Sequence, residues 1–557
     1  MSLMALSNAP PPGLNPAQVN LRSTPDNIAR VNSPGSVRKP AIPSPLVAGG
    51  QGAGLSVEGA ARTADRYLRL ANLTASSDAG RWSVISQELG DAQGLFDLPR
   101  PDDIFTAFAA AADDPSPSRR SRAIAQVQDF LAQSARIDTQ SSQFGEALDG
   151  RISADIDRAN DLLGQISQLN AEISRSKLAI GEASDPESNQ SQLVDELVTL
   201  MSARVAPKAN GGVTVRSAEG LLLAGDGGAA TLSYNRADPT KGYVAVEPEG
   251  EIGFAQPIQI TGGEIAGLIE LRDTTLPALA DQLGEFVWRT AELVNAAYNK
   301  TTPSPAPNLL AGRDMGLDLQ SAVSGFTGSA TIAVVGAAGA DNGVVQHEVE
   351  IDFDAMTMKP GGDFEAANFL PVLNRALGGA ATANFTDGAL SIQGAAGTGV
   401  GIDEGGSMKG GRGFSHVFGM NDLIRSAGAR FKVDPAVVEN PMKLGLGLLD
   451  LSVAAGGQAI TADDSRGARL LGEVSTTLGS YAAELGGSAQ RQVQIADARK
   501  NTALAIAKEA AVRREAIEGV SLDEELIVMT TYQQASSAAA RMAQAARGLS
   551  NMLAQIA

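Results

Sequence analysis

Cysteine is absent from all 557 residues. That removes disulfides, thiolate nucleophiles and Cys-ligated zinc or iron at once, and it suits a protein that ends up outside a bacterial cell without an oxidising folding step. Histidine is scarce too, with only His347 and His416. His347 falls in an expected strand and His416 between aromatic neighbours, and neither sits in a metal-ligand or nucleophile spacing. Aromatics make up 4% of the chain, against 61 glycines and abundant alanine and serine. Such a composition favours closely approaching helices and Gly-rich strands over an aromatic-walled enzyme cleft.

No stretch approaches the roughly 20 apolar residues of a membrane span, so no membrane insertion is expected. Met1 to Leu6 lacks the basic and apolar regions of a secretory signal, so any export is expected to proceed without a cleaved signal peptide. The formal charge of −19 disfavours nucleic acid, whose phosphates require clustered Lys and Arg. The acid sits in the middle of the chain: residues 1–45 carry Arg22, Arg30, Arg38 and Lys39 against Asp26 alone.

What is present is mostly helical periodicity. Prolines punctuate the first 50 residues, and Asn15-Pro16 and Thr24-Pro25 each pair a cap with a first-turn proline. They predict two short helices and then a turn over Asn32–Gly35. From about Ala60 to Met201 the pattern predicts helices broken near Pro99–Pro101 and Pro115–Pro117. Ala159, Leu162, Ile166, Leu169 and Ile173 form a coiled-coil-like seam. A polar loop is expected over Gly181–Gln190, then a further face on Leu193, Leu197 and Leu200. Short strands are expected at Val213–Val215 and Leu221–Leu223, and helix again from Pro277 to Tyr298.

Thr301 to Pro307 reads as a linker into a glycine-rich segment with strand candidates at Thr331–Val335, Val349–Phe353 and Ala389–Ile392. Within it, Gly394–Gly401 lacks the Lys-Ser/Thr ending of a phosphate loop and is expected to be a flexible turn. Helix resumes from Asp463 to Glu518, with Leu471, Val474, Leu478, Tyr481 and Leu485 on one face.

The C-terminus carries the most regular pattern. Val528, Tyr532, Ala535, Ala539, Met542, Ala546, Leu549, Leu553 and Ile556 alternate in steps of four and three. Ser521 and Glu524 have capping-box spacing, and Asp523 and Glu525 add charge at the positive helix end. The helix is expected to run roughly 50–55 Å. Its seam, with three alanines, would be marginal alone and is expected to be covered by a partner helix of its own chain or of a neighbour, an ordinary helix docked on its own domain staying open as the alternative.

Four ordered motifs carry a resemblance. Gly519–Glu525 with Tyr532–Ala535 resembles the C-terminal signature of flagellar axial proteins. Gly262–Asp273, with Leu276-Pro277 and Val294-Asn295, resembles the central motif of the hook-associated protein 1 family, and Gly413–Leu423 another of its segments. Asp26–Gly35, including Asn27, Ile28, Val31, Asn32, Pro34 and Gly35, is similar to the N-terminal motif shared by rod, hook and junction proteins. The sequence departs from that family in the prolines of its first 25 residues and in Ser36, where an aromatic is usual.

The expected fold is mainly α with a β-rich insert, a discontinuous multidomain axial protein. Terminal coiled-coil segments would comprise 1–45 and 520–557. A long-helix bundle would comprise 46–300 and 462–519 with a small β element at about 206–260, and a Gly-rich β domain 301–461. The resemblance implies a non-enzymatic, cofactor-free subunit of the extracellular bacterial flagellum at the hook–filament junction. Its implied partners are further copies of itself, hook protein, a second junction protein (hook-associated protein 3) and an export chaperone on the C-terminal segment. Another hook- or filament-type component, or an accessory secreted binding protein using the flagellar export route, stays open at this point.

Overall fold

The computed structural model describes residues 14–29, 31, 38, 41–48, 51–60, 66–180, 183–209, 211–238, 241–250, 253–428, 430–453 and 457–556. The first elements are helix α1 (Leu14–Ala29), strands β1 (Ala41–Ala48) and β2 (Gln51–Ala60), and helices α2 (Arg66–Asp91), α3 (Asp102–Asp113), α4 (Pro117–Ile180) and α5 (Ser184–Leu200). Strands β3 (Arg204–Pro207), β4 (Val213–Arg216), β5 (Leu222–Ala224), β6 (Thr231–Asp238), β7 (Lys241–Glu247) and β8 (Gln256–Ile258) follow. Helix α6 (Gly263–Glu270) passes through one π turn, Leu271–Thr275, into α7 (Leu276–Tyr298).

The next stretch holds β9 (Thr301–Thr302), β10 (Leu309–Ala311), α8 (Leu319–Val323), β11 (Ser329–Gly336), β12 (Val345–Asp352), β13 (Thr357–Lys359) and β14 (Gly362–Asp363). Then come α9 (Phe369–Leu377), β15 (Ala381–Thr386), β16 (Ala389–Gly394), β17 (Thr398–Asp403) and α10 (Phe414–Phe418). The last elements are β18 (Ile424–Ala427), β19 (Arg430–Val433), α11 (Pro435–Glu439), β20 (Gly447–Leu448), α12 (Arg466–Glu473), α13 (Ser475–Glu518) and α14 (Leu522–Ile556). The chain is thus helix-rich with one β-rich region.

Two compact units emerge, one from residues 1–92, 144–277 and 491–557, the other from 93–143 and 278–490. In the first, α2, α4, α5 and α6 bury Val84, Leu89, Ile156, Leu163, Ile166, Leu197 and Leu268. Glycine lets α6 enter this core. Gly263 has φ +83°, and a Cβ there would stand 2.4 Å from the Leu200 backbone; at Gly267 it would stand 2.6 Å from Val84. The antiparallel ladders β3-β4-β5 and β6-β7-β8 complete the unit, and α1 packs along α14.

The second unit has a mainly helical core centred on Phe105, Phe108, Val127, Phe130, Phe286 and Leu471. Its β-rich core lies beneath the five-stranded antiparallel sheet β14-β13-β12-β11-β17. There Phe326, Phe353, Phe364, Phe369, Phe414 and Phe418 pack ring to ring, with centroids as close as 4.8 Å for Phe326 and Phe353. Six of the chain's 15 phenylalanines pack here.

Several sequence expectations are corrected. One helix, not two, spans Leu14–Ala29 and carries Pro25 within it. Pro25 is exposed while Thr24 and Asn27 are buried, so the ring points away from the packed face and one intrahelical bond is forgone. The β1–β2 hairpin went unforeseen. The polar break before α5 is short, because α5 begins at Ser184 with Asp185 and Glu187 in its first turn. Helix returns at Gly263, well before Pro277.

The expected linker is ordered: Thr301 and Thr302 pair with Leu448 and Gly447, and Ala306 is buried. Gly394–Gly401 is largely strand, with β17 lying beside β11. The expected turn over Asn32–Gly35 lies outside the described residues.

Candidate assembly surface

The seam expected on the C-terminal helix falls on α14. Ser521 precedes it, and its Oγ accepts from the Glu524 backbone N–H at 3.4 Å. The Glu524 carboxylate does not turn back to the cap; it accepts from Arg38 at 3.1 Å. Along the seam Ala539 is buried, Val528 and Tyr532 are half-buried, and Ala535, Met542 and Leu549 are exposed. The side chains of Ala546, Leu553 and Ile556 lie outside the described set. In the N-terminal motif Asn27 is buried, Ile28 and Val31 are half-buried, and Val31 N–H donates to the Ile28 carbonyl at 3.3 Å. Asn32, Pro34 and Gly35 lie outside the described residues.

Large apolar side chains face outward on α13 and α14. Ile495, Ile506, Val512 and Ile517 are more than half exposed, as are Ile527, Met542, Leu549 and Met552. On the part of α13 from Arg491 onward the inward positions are small or charged: Ala496 and Ala503 are buried, while Lys500 and Arg514 reach inward. Lys500 Nζ donates to Ser86 Oγ at 2.7 Å and pairs with Asp497 at 3.0 Å. Arg514 pairs with Asp195 at 3.2 Å, and Arg499 covers Trp82. Apolar area left in water is unfavourable by about 25 cal/mol per Å², so this arrangement suits a surface that a neighbour covers.

The central motif Gly262–Asp273 has a separate task. Arg272, almost wholly buried, joins Asp149 of α4 to Asp273. Tyr234 Oη donates to Asp149 at 2.6 Å, and the Gly242 N–H donates to Asp273 at 3.2 Å. Burial, and then the bond to Asp149, push the Tyr234 hydroxyl well above its usual range. This cluster pins the β6–β7 hairpin to the helices. The segment Gly413–Leu423 anchors just past the end of α7 in the other unit: Asn299 accepts from Ser415 Oγ at 2.8 Å and donates to Asp422 at 2.7 Å.

His347 Nε2 bonds the Ala376 carbonyl at 2.7 Å. His416, buried, lies 3.4 Å from Glu292, whose carboxylate also pairs with Arg313 and Arg412. Although burial opposes it, the His416 bond and the two guanidiniums hold the Glu292 carboxyl below its usual range. Among the described residues no group of three or more His, Asp or Glu could hold a metal ion, and no helix is long and apolar enough to cross a membrane. Sequence reasoning missed Arg38, Trp82 and Arg499, whose partners are hundreds of residues away in the chain.

Residues 99–302 match the family described as flagellar hook-associated protein FlgK helical domain. Flagellar hook-associated protein 1 of Escherichia coli K12 is 26% identical over 316 residues, covering 53% of this chain and 57% of that protein. Its counterpart in Salmonella typhimurium LT2 is 26% identical over 317 residues, covering 54% and 57%. The chain spans little more than half the length of these curated relatives. Among solved structures, the flagellar hook junction protein FlgK from Burkholderia pseudomallei aligns with a TM-score of 0.46 at 15% identity, over 82% of this chain and 100% of that one. Residues 99–302 are thus similar to the helical domain of the flagellar hook-associated protein FlgK, and about half of the chain is similar in sequence to flagellar hook-associated protein 1.

Proposed function

We propose that this protein is a structural, non-enzymatic subunit of the bacterial flagellum at the hook–filament junction. The observation that carries the reading is the run of outward-facing apolar side chains on α13 and α14, from Ile495 to Met552. In a ring or short helical stack of copies, each such face is buried by a neighbour, and burial of this kind drives association. The seam residues Val528, Tyr532, Ala535, Ala539, Met542, Ala546, Leu549, Leu553 and Ile556 take part in that packing with the N-terminal segment around Asn27 and Ile28.

On this reading segments 1–45 and 520–557 form the inner tube. The long helices surround them, and the β-rich segment 301–461 faces outward. Hook protein lies on one side of the ring and the second junction protein, hook-associated protein 3, on the other. The chain travels unfolded through the flagellar export route, its C-terminal segment masked by a chaperone until it orders on assembly.

Gene disruption in the source bacterium tests this. Bare hooks with flagellin shed into the medium are expected; normal filaments would overturn the junction role and favour an accessory secreted protein.

A further inference from the structure

Within the second unit two apolar cores are packed separately. One is gathered mainly by α3, α4, α7, α12 and α13, and the other lies beneath the five-stranded sheet around Phe326, Phe369, Leu373 and Phe414. Where α7 meets the β-rich segment stands a carboxylate. Glu292 of α7 draws three basic groups of that segment: Arg313 just past β10 at 3.1 Å, Arg412 just ahead of α10 at 2.8 Å, and the His416 ring within α10 at 3.4 Å.

The seat is closely built. The Glu292 side chain is 17% exposed and that of His416 6%. Arg313 also pairs with Asp422 at 3.3 Å and donates to the His416 carbonyl at 2.8 Å. Gly419, at φ +63°, lets the chain pass beside that guanidinium: a Cβ there would stand 2.7 Å from Arg313 Cγ.

Two guanidiniums converging on one carboxylate are held together only while it is charged; without it they face each other as like charges. A carboxylate taken out of water is costly unless cations and good geometry compensate it, and here the compensation comes from the far side of the contact. The two cores, by contrast, rest on apolar burial, which the loss of one charge leaves in place. The pair β9–β20 adds two residue pairings, and Arg425 one bond to the Ala311 carbonyl at 3.0 Å. These tethers keep the segment attached while its angle changes. A contact carried by a few charged bonds between separately packed cores is where a structure opens first.

We propose that Glu292 is the joint that fixes the β-rich segment on α7, and that the segment turns as a body, its own core intact, when that carboxylate is lost. The joint lies inside the second unit and holds whether or not the protein sits at a junction.

Because the chain has no cysteine, introduced cysteines take spin labels cleanly, and pulsed dipolar spectroscopy on the full-length chain reads two distances. Gly284→Cys on α7, where an added Cβ meets open space, with Ala355→Cys in the segment spans the joint; Ala355→Cys with Ala396→Cys lies within the segment, both exposed. Both pairs are expected to give one narrow distance in the otherwise unaltered protein. E292Q is expected to lose the narrow distance across the joint, replaced by a broad or displaced distribution, and to keep the distance within the segment. R412Q, which removes one of the three basic groups from a half-exposed position, is expected to broaden the first distance less and is read should E292Q fail to fold. An unchanged distance across the joint would overturn the proposal, and so would loss of the distance within the segment in step with it.

Discussion

The guanidinium of Arg499 lies over the indole of Trp82, 4.5 Å from its centroid, with Arg81 at 5.4 Å from the same ring. One turn of α13 is thus attached to α2 by a cation and by the Ser86–Asp497–Lys500 bonds rather than by bulky apolar contact. Arg499→Ala is expected to cost about 0.5–1 kcal/mol and to shift Trp82 emission. Fluorescence in a Trp288→Phe background reads the one remaining tryptophan; unchanged emission would contradict the placement.

Arg272 is the cation between two carboxylates in the first unit, with side-chain exposure of 3%. Arg272→Ala leaves Asp149 and Asp273 facing each other, and a loss of about 3–5 kcal/mol is expected for a broken buried pair. Arg272→Lys should recover little, because a point ammonium cannot serve both acids in the geometry of a fork. Denaturant unfolding measures both variants; equal stability of Lys and Arg would contradict this role.

Burial pushes the carboxyls of Asp155 and Glu264 up from their usual range, and the Asp155 charge raises Glu264 further, Arg151 and Arg158 opposing in both. One Asp155 oxygen has no hydrogen-bond partner. Both groups bind protons more tightly folded than unfolded, so their stabilising contribution is full below the ordinary carboxyl range. It fades as pH rises through the elevated values. Stability of the first unit should therefore rise on mild acidification from neutrality. Asp155→Asn should be more stable than the parent near neutral pH and show a flatter profile down to about pH 5. Thermal melts across that window decide it.

Asn295 clamps the Ile424 backbone from both sides, donating to its carbonyl at 2.7 Å and accepting from its N–H at 2.9 Å. Asn295→Ala orphans two buried backbone groups, a loss of about 1–3 kcal/mol for each. Hydrogen exchange at Ile424 should accelerate; protection equal to the parent would count against the clamp.

The sequence made legible those elements whose pattern is local and regular. Helix α14 announced itself through its four-three spacing and the Ser521 cap, and β11, β12 and β16 through β-branched runs between glycines. Elements set by distant contact stayed hidden. Strand β17 looks like a flexible loop because its glycines are there for close approach: a Cβ on Gly399 would stand 2.3 Å from the Ala306 carbonyl. The same contact explains why the Thr301–Pro307 segment is ordered. Arg38 counted only as terminal charge, since nothing local links it to Glu525, 487 positions away. On α14 the periodicity marks candidate seam positions, but it could not say which of them α1 leaves exposed.

The central claim is that the outward face of α14 joins copies of the chain rather than stabilising one copy. Met542 and Leu549 are 65% and 60% exposed, so M542Q/L549Q should leave the melting temperature of the isolated protein unchanged. The most direct measurement is electron microscopy of the disrupted strain complemented with M542Q/L549Q, with the secreted protein quantified in the medium. The account predicts a stable, exported protein, bare hooks and shed flagellin; filaments of normal number and length on those hooks would contradict it.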